Sequence, residues 1–92
     1  MIERFVDNDT DYMNWVSSNP LGYVVNCESN PRPAYLILHR ANCRTINELP
    51  FRGRVWTSDY IKVCSIDRRE LDIWAMREVG GELRPCGFCN PI

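Results

Sequence analysis

The chain has 92 residues, 45% of them hydrophobic, and a formal charge of −1. A chain of that length makes one domain with a thin core, where a metal or disulfides commonly add stability. The near-zero charge argues against strong nonspecific binding to DNA, and no apolar run reaches the roughly 18 residues of a membrane helix.

The N-terminal Met1–Asp7 stretch is acidic and lacks the apolar centre of a signal peptide. A cytoplasmic protein is expected, in which cysteines stay reduced and favour metal over disulfide. Asn8, Asp9 and Thr10 offer helix caps, with acids in the first turn. A helix is expected over 11–18, carrying Tyr12, Met13, Trp15 and Val16. It stops at the turn Asn19-Pro20-Leu21-Gly22. Residues 23–27 form a short β-rich run, and a proline-rich loop follows. Residues 35–39 are apolar up to His39 and read as a central strand, antiparallel to the first.

Residues 47–54 read as an exposed loop, and 55–57 as a short strand or edge. Residues 60–65 form the third clear strand. Asp67 then caps a second helix, with Glu70 at its third position as in a capping box. Leu71, Ile73, Trp74, Ala75 and Met76 are its expected buried face, and Gly80-Gly81 ends it. The fold class is α+β: a small antiparallel sheet of three to four strands with two helices.

Two pairs of soft ligands stand out. His39-Arg40-Ala41-Asn42-Cys43 lies at the end of the second strand, and Cys86-Gly87-Phe88-Cys89 lies near the C-terminus. Two such pairs across a long gap are how a chain builds a tetrahedral structural zinc site. Gly87 allows an unusual backbone angle there, and amides of the turn can donate to the first sulfur. The metal would pin the C-terminus onto the central strand. Cys64 and Cys27 read as strand thiols, and either could replace His39 as fourth ligand, Cys64 being the main alternative. Five cysteines also fit poorly with a complete set of disulfides.

The charge is unevenly spread. Residues 1–31 sum to −4, residues 32–69 to +5 and residues 70–92 to −2. In the basic middle, Arg40, Arg44, Arg52 and Arg54 flank the first ligand pair and the following loop. Trp56 and Tyr60 lie beside them and could stack on bases.

The pattern His39-x3-Cys43 followed by Arg84-Pro85-Cys86-x2-Cys89-x-Pro91 resembles the metal-binding domain of Ada-type alkylation-repair proteins and related nuclease-associated zinc modules. The resemblance covers residues 35–92, and its most specific part is the ending. It implies zinc ligation by His39, Cys43, Cys86 and Cys89, in a small module that sits on DNA. In those proteins the first ligand is the cysteine that accepts a methyl group. Here it is His39, so methyl transfer is not expected.

One domain is therefore expected over 1–92, with a helix and first strand in 1–34 and the Ada-like zinc part in 35–92. No catalysis is expected, because the single histidine is used by the metal. The expected role is DNA recognition, accessory to repair, restriction or phage-defence systems. The alternative is a protein-interaction module or small regulator acting through a partner protein.

Overall fold

The structure, a computed structural model, describes residues 1–47 and 56–91. Runs rich in apolar and β-branched residues form three long strands. These are β2 (Tyr23–Glu28), β3 (Leu36–Arg40) and β4 (Tyr60–Ser65). Two short strands join them, β1 (Glu3–Phe5) and β5 (Arg84–Pro85). The sheet order is β1-β4-β2-β3-β5. β2 lies between β3 and β4 and is antiparallel to both, with Val24 opposite His39 on one side and Cys64 on the other. β5 runs parallel to β3, pairing Ile37 with Arg84.

The five strands exceed the three to four expected, and the central strand is β2 rather than β3. The two extra strands carry no apolar run of their own. Glu3-Arg4-Phe5 is a strand because β4 pairs with it. Within the described residues 56–57, where a short strand or edge was expected, no strand forms. Residue 55 and most of the expected loop lie outside the described residues.

Each face of the sheet carries a layer. Helix α1 (Asp9–Ser18) buries Tyr12 and Val16 on one face, against Phe5, Val24 and Cys64. Asn8 caps it, its side-chain oxygen accepting from the Asp11 amide at 3.2 Å. Gly22 is required beyond this helix, because a Cβ there would stand 2.7 Å from the Trp15 ring. A short helix α2 (Arg44–Asn47) follows β3 and buries Ile46 on the same side.

Helix α3 (Arg68–Trp74) covers the other face, continued by a π-helical turn over Ala75–Val79. Leu71 and Ala75 are buried there against Val25, Leu36, Leu38 and Val63, with Trp74 and Val79 beside them. Ile73 and Met76, expected in that buried stripe, are 47% and 66% exposed. At 3.6 residues per turn Ile73 lies roughly opposite the Leu71–Ala75 line, while Met76 falls in the π-helical turn. Gly80 closes the helix in the left-handed conformation, at φ 81°.

The capping of α3 differs from a simple box. Asp67 accepts from the Arg69 amide at 2.9 Å. Glu70 does not reach back to the Asp67 amide. That amide donates to the Ser65 hydroxyl at 3.0 Å, and Ser65 in turn donates to Glu70 at 2.6 Å. A buried serine at the end of β4 thus relays the contact.

Candidate metal centre

The first ligand pair is built by the exit from β3. His39 sits one residue before the strand's end and shares the α1 face with Ile37 by the period of two. The chain then turns sharply. The Ala41 amide donates to the Gly22 carbonyl and the Cys43 amide to the Arg40 carbonyl, both at 2.9 Å. Asn47 closes the loop by donating to the Ala41 carbonyl at 3.1 Å. Cys43 is thereby returned to the level of His39.

The second pair arrives from β5. The Cys86 amide donates to the Leu38 carbonyl at 2.8 Å, which carries the parallel ladder one step past Pro85 and sets Cys86 beside His39. The turn closes when the Asn90 amide donates to the Cys86 carbonyl at 2.8 Å. Its left-handed residue is Asn90, at φ 47°, and not Gly87. Asparagine tolerates that region, so the angle expected of Gly87 is taken three residues later. A Cβ at Gly87 would meet nothing within 4 Å.

The donor atoms of His39, Cys43, Cys86 and Cys89 all lie within 4.8 Å of one another. A tetrahedral thiolate site with bonds of ~2.3 Å has edges of about 3.8 Å, so the donors stand close to closing distance around an ion. His39, Cys43 and Cys86 are buried, and Cys89 is half-buried. Two amides donate toward sulfur: Phe88 to Cys86 and Arg40 to Cys89, each at 3.3 Å. The Thr45 hydroxyl contacts Cys43 Sγ at 2.9 Å and His39 Nδ1 at 3.4 Å. Contacts of this kind orient metal ligands from outside.

The electrostatics suit a cation. Burial, aided by the Lys62 charge, lowers His39 to about 4, so its imidazole is neutral at pH 7 and free to ligate. Burial works to raise the Cys86 thiol, but the amides of Cys89 and Phe88 and the neighbouring thiols hold it below the usual range. Burial pushes Cys89 up to about 11 against the Arg40 amide, and the charges of Cys43 and Cys86 add to the rise. Metal ligation requires the thiols to give up their protons, and a bound cation stabilises the thiolates so formed.

All five cysteines are free thiols. Cys64 is not among the converging donors. It is fully buried against the same core, where burial raises its thiol strongly. Cys27 faces the α3 side of the sheet, and burial pushes it up to about 11. Cys64→Ser is therefore expected to retain the metal, while His39→Ala releases it more readily. A metal-release assay on the two variants checks this, and the reverse order would make Cys64 the ligand.

Of the residues expected to contact nucleic acid, Arg40, Arg44, Trp56 and Tyr60 are among the described residues. Arg40 is half-buried and spends its guanidinium on the Cys89 carbonyl at 3.3 Å and the Asn90 carbonyl at 3.5 Å. Arg44 is exposed and lies over the Phe88 ring. Trp56 is half-buried and packs against the α1-side core. Tyr60 is 42% exposed and packs against Tyr35 with ring centres 5.5 Å apart. Arg52 and Arg54 lie outside the described residues. Phe88, 57% exposed in the metal turn, was not anticipated. Its position between two ligands was the available signal.

Among the described residues, no helix is long and apolar enough to cross a membrane. Comparison with family models, with curated proteins and with solved structures finds no match to this chain.

Proposed function

We propose that the four donors hold one zinc ion and that the chain is a non-catalytic DNA-recognition module of a reducing, cytoplasmic setting. Its expected place is accessory to repair, restriction or phage-defence systems. The observation that carries this is the convergence of one imidazole and three thiols on a single point. One nitrogen and three sulfurs are a zinc donor set, and four protein ligands leave no position for an activated water. The metal then serves the fold and not a reaction. The resemblance to Ada-type domains supports DNA as the target, and the exposed Arg44 beside the metal turn supports a contact there.

Elemental analysis of protein purified without chelators should find one zinc per chain. Titration of a short duplex should show affinity falling linearly with log salt, by about 0.9 per phosphate contact. Replacing Arg52 and Arg54 together with alanine should flatten that slope by about two units and leave the metal in place. A second reading, a protein-interaction module, draws on the exposed Ile66, Ile73 and Met76. It replaces the first if wild-type protein binds no DNA at low salt while a protein partner co-purifies.

A further inference from the structure

Phe88 is one of several exposed large apolar side chains among the described residues, and the one carried by the candidate metal turn. It sits between two donors in the Cys86–Cys89 turn, and 57% of its surface faces solvent. Holding an aromatic ring in water forfeits the free energy that burial would recover. The turn that carries it is pinned at both ends, by the Cys86 amide on the Leu38 carbonyl and the Asn90 amide on the Cys86 carbonyl. Metal bound at Cys86 and Cys89 would fix it further. The ring is thus presented on a rigid mount.

Its surroundings are cationic. The Arg44 guanidinium lies 4.6 Å from the centre of the Phe88 ring. Arg40 reaches the Cys89 and Asn90 carbonyls from the other strand. Arg68 donates to the Pro91 carbonyl at 3.1 Å, though it also pairs with Asp72 at 3.8 Å. Three guanidinium groups border residues 88–91, and residues 83–91 include no acid. A docking patch for an apolar protein surface would set Phe88 among other apolar side chains. Here its neighbours in the chain are Gly87, Cys89 and Asn90, and its contact is an arginine.

Resting on the DNA-recognition reading, we infer that Phe88 and Arg44 form a stacking platform for an unpaired base of a single-stranded nucleic acid. Bases inside a duplex already have both faces covered, whereas an unpaired base offers an open π face to a ring. The flanking guanidinium groups supply the charge that complements its phosphates. Tolerance of base identity is expected, because stacking does not read hydrogen-bonding edges.

The test uses the full metal-loaded chain and fluorescence anisotropy. Labelled oligothymidylate, oligouridylate of equal length and the oligothymidylate annealed to its complement are titrated in parallel. The single strands should bind more tightly than the duplex, and the better of the two identifies DNA or RNA as the source of the base. Phe88→Ala should weaken single-strand binding about tenfold, and Phe88→Trp should restore it. Arg44→Ala should also flatten the single-strand salt slope by about 0.7. Metal content and melting temperature of the Phe88 variants should match wild type, since the ring is exposed. Equal single-strand affinity for wild type and Phe88→Ala overturns the platform, as does a preference for duplex. If duplex binding persists in either case, the DNA-recognition reading stands without it. If wild type binds none of the three, both the platform and the DNA-recognition reading fall.

Discussion

Removing the metal is expected to abolish cooperative unfolding of this chain. Structural metal sites of this donor type contribute on the order of 10–16 kcal/mol to small domains, against a total stability of about 5–15 kcal/mol for ordinary domains. The ligands also sit inside a core. Cys43 and Cys86 pack with Tyr12, Val16 and Val24, so releasing the ion leaves unligated thiols within the α1 layer. β5 has two residues and cannot hold the C-terminal segment alone. The opposite layer, around Leu38, Val63 and Leu71, includes no donor. Treatment with a strong chelator should therefore erase the thermal transition seen by circular dichroism. Residual hydrogen-exchange protection should be confined to β2 and β4. Cys86→Ser should behave like chelated wild type. A melting curve unchanged by chelator, with no metal left in the sample, would refute the structural role.

Local pattern revealed the elements that it controls and missed those that partners impose. β2, β3 and β4 were legible because each carries its own run of apolar and β-branched residues. The helix α1 was legible from Asn8, an acidic first turn and the Pro20 stop. β1 and β5 were not, because Glu3-Arg4-Phe5 and Arg84-Pro85 have no strand pattern beyond what β4 and β3 impose on them. The π-helical turn gave no signal either. The glycine after its cap packs against Pro33, where a Cβ on Gly81 would lie 2.8 Å from the proline Cα. That is a contact across 48 residues of sequence.

The metal cluster was legible because ligand spacing is a local constraint set by coordination geometry. The same spacing could not say whether His39 or Cys64 completes it, since that depends on which face of the sheet meets the turn. Both residues point to the α1 side, and β5 running alongside β3 rather than β4 decides for His39. The proposed nucleic-acid residues were the least legible. Exposure of an arginine or a tryptophan depends on what packs beside it, and neither charge runs nor composition report that.

The same face of the sheet holds a polar clamp whose loss is expected to cost about 1–3 kcal/mol. The Asp9 carboxylate accepts from the Trp56 amide at 3.0 Å, the Thr57 amide at 2.9 Å and the Thr57 hydroxyl at 2.7 Å. The Thr57 hydroxyl accepts in turn from the Asn8 amide at 2.7 Å, and the Thr57 carbonyl from the Asp7 amide at 2.7 Å. The start of α1 is thus stapled to the segment leading into β4. The buried Lys62 ammonium donates to the Trp56 carbonyl, and burial lowers it to about 8. Thr57 is buried, but Asp9 is half-buried and lines an open hollow with Asp7, Thr57 and Ser58, so in Asp9→Ala water replaces the carboxylate only in part. Each stranded donor costs roughly 1–3 kcal/mol. Burial works to raise the Asp9 carboxyl. The Thr57 hydroxyl, the two amides and the Lys62 charge together hold it below its usual value. A carboxyl lowered on folding contributes stability above its unfolded value of about 3.9, and that contribution is lost as pH falls through the folded value. At pH 7 it is fully present. Urea unfolding of metal-loaded protein at pH 7 should therefore show a lower midpoint for Asp9→Ala, with Asp9→Asn between it and wild type. Asparagine keeps one acceptor oxygen but loses the charge that faces Lys62. An unchanged midpoint for Asp9→Ala, or a greater loss for Asp9→Asn than for alanine, would show that the carboxylate does not hold this segment.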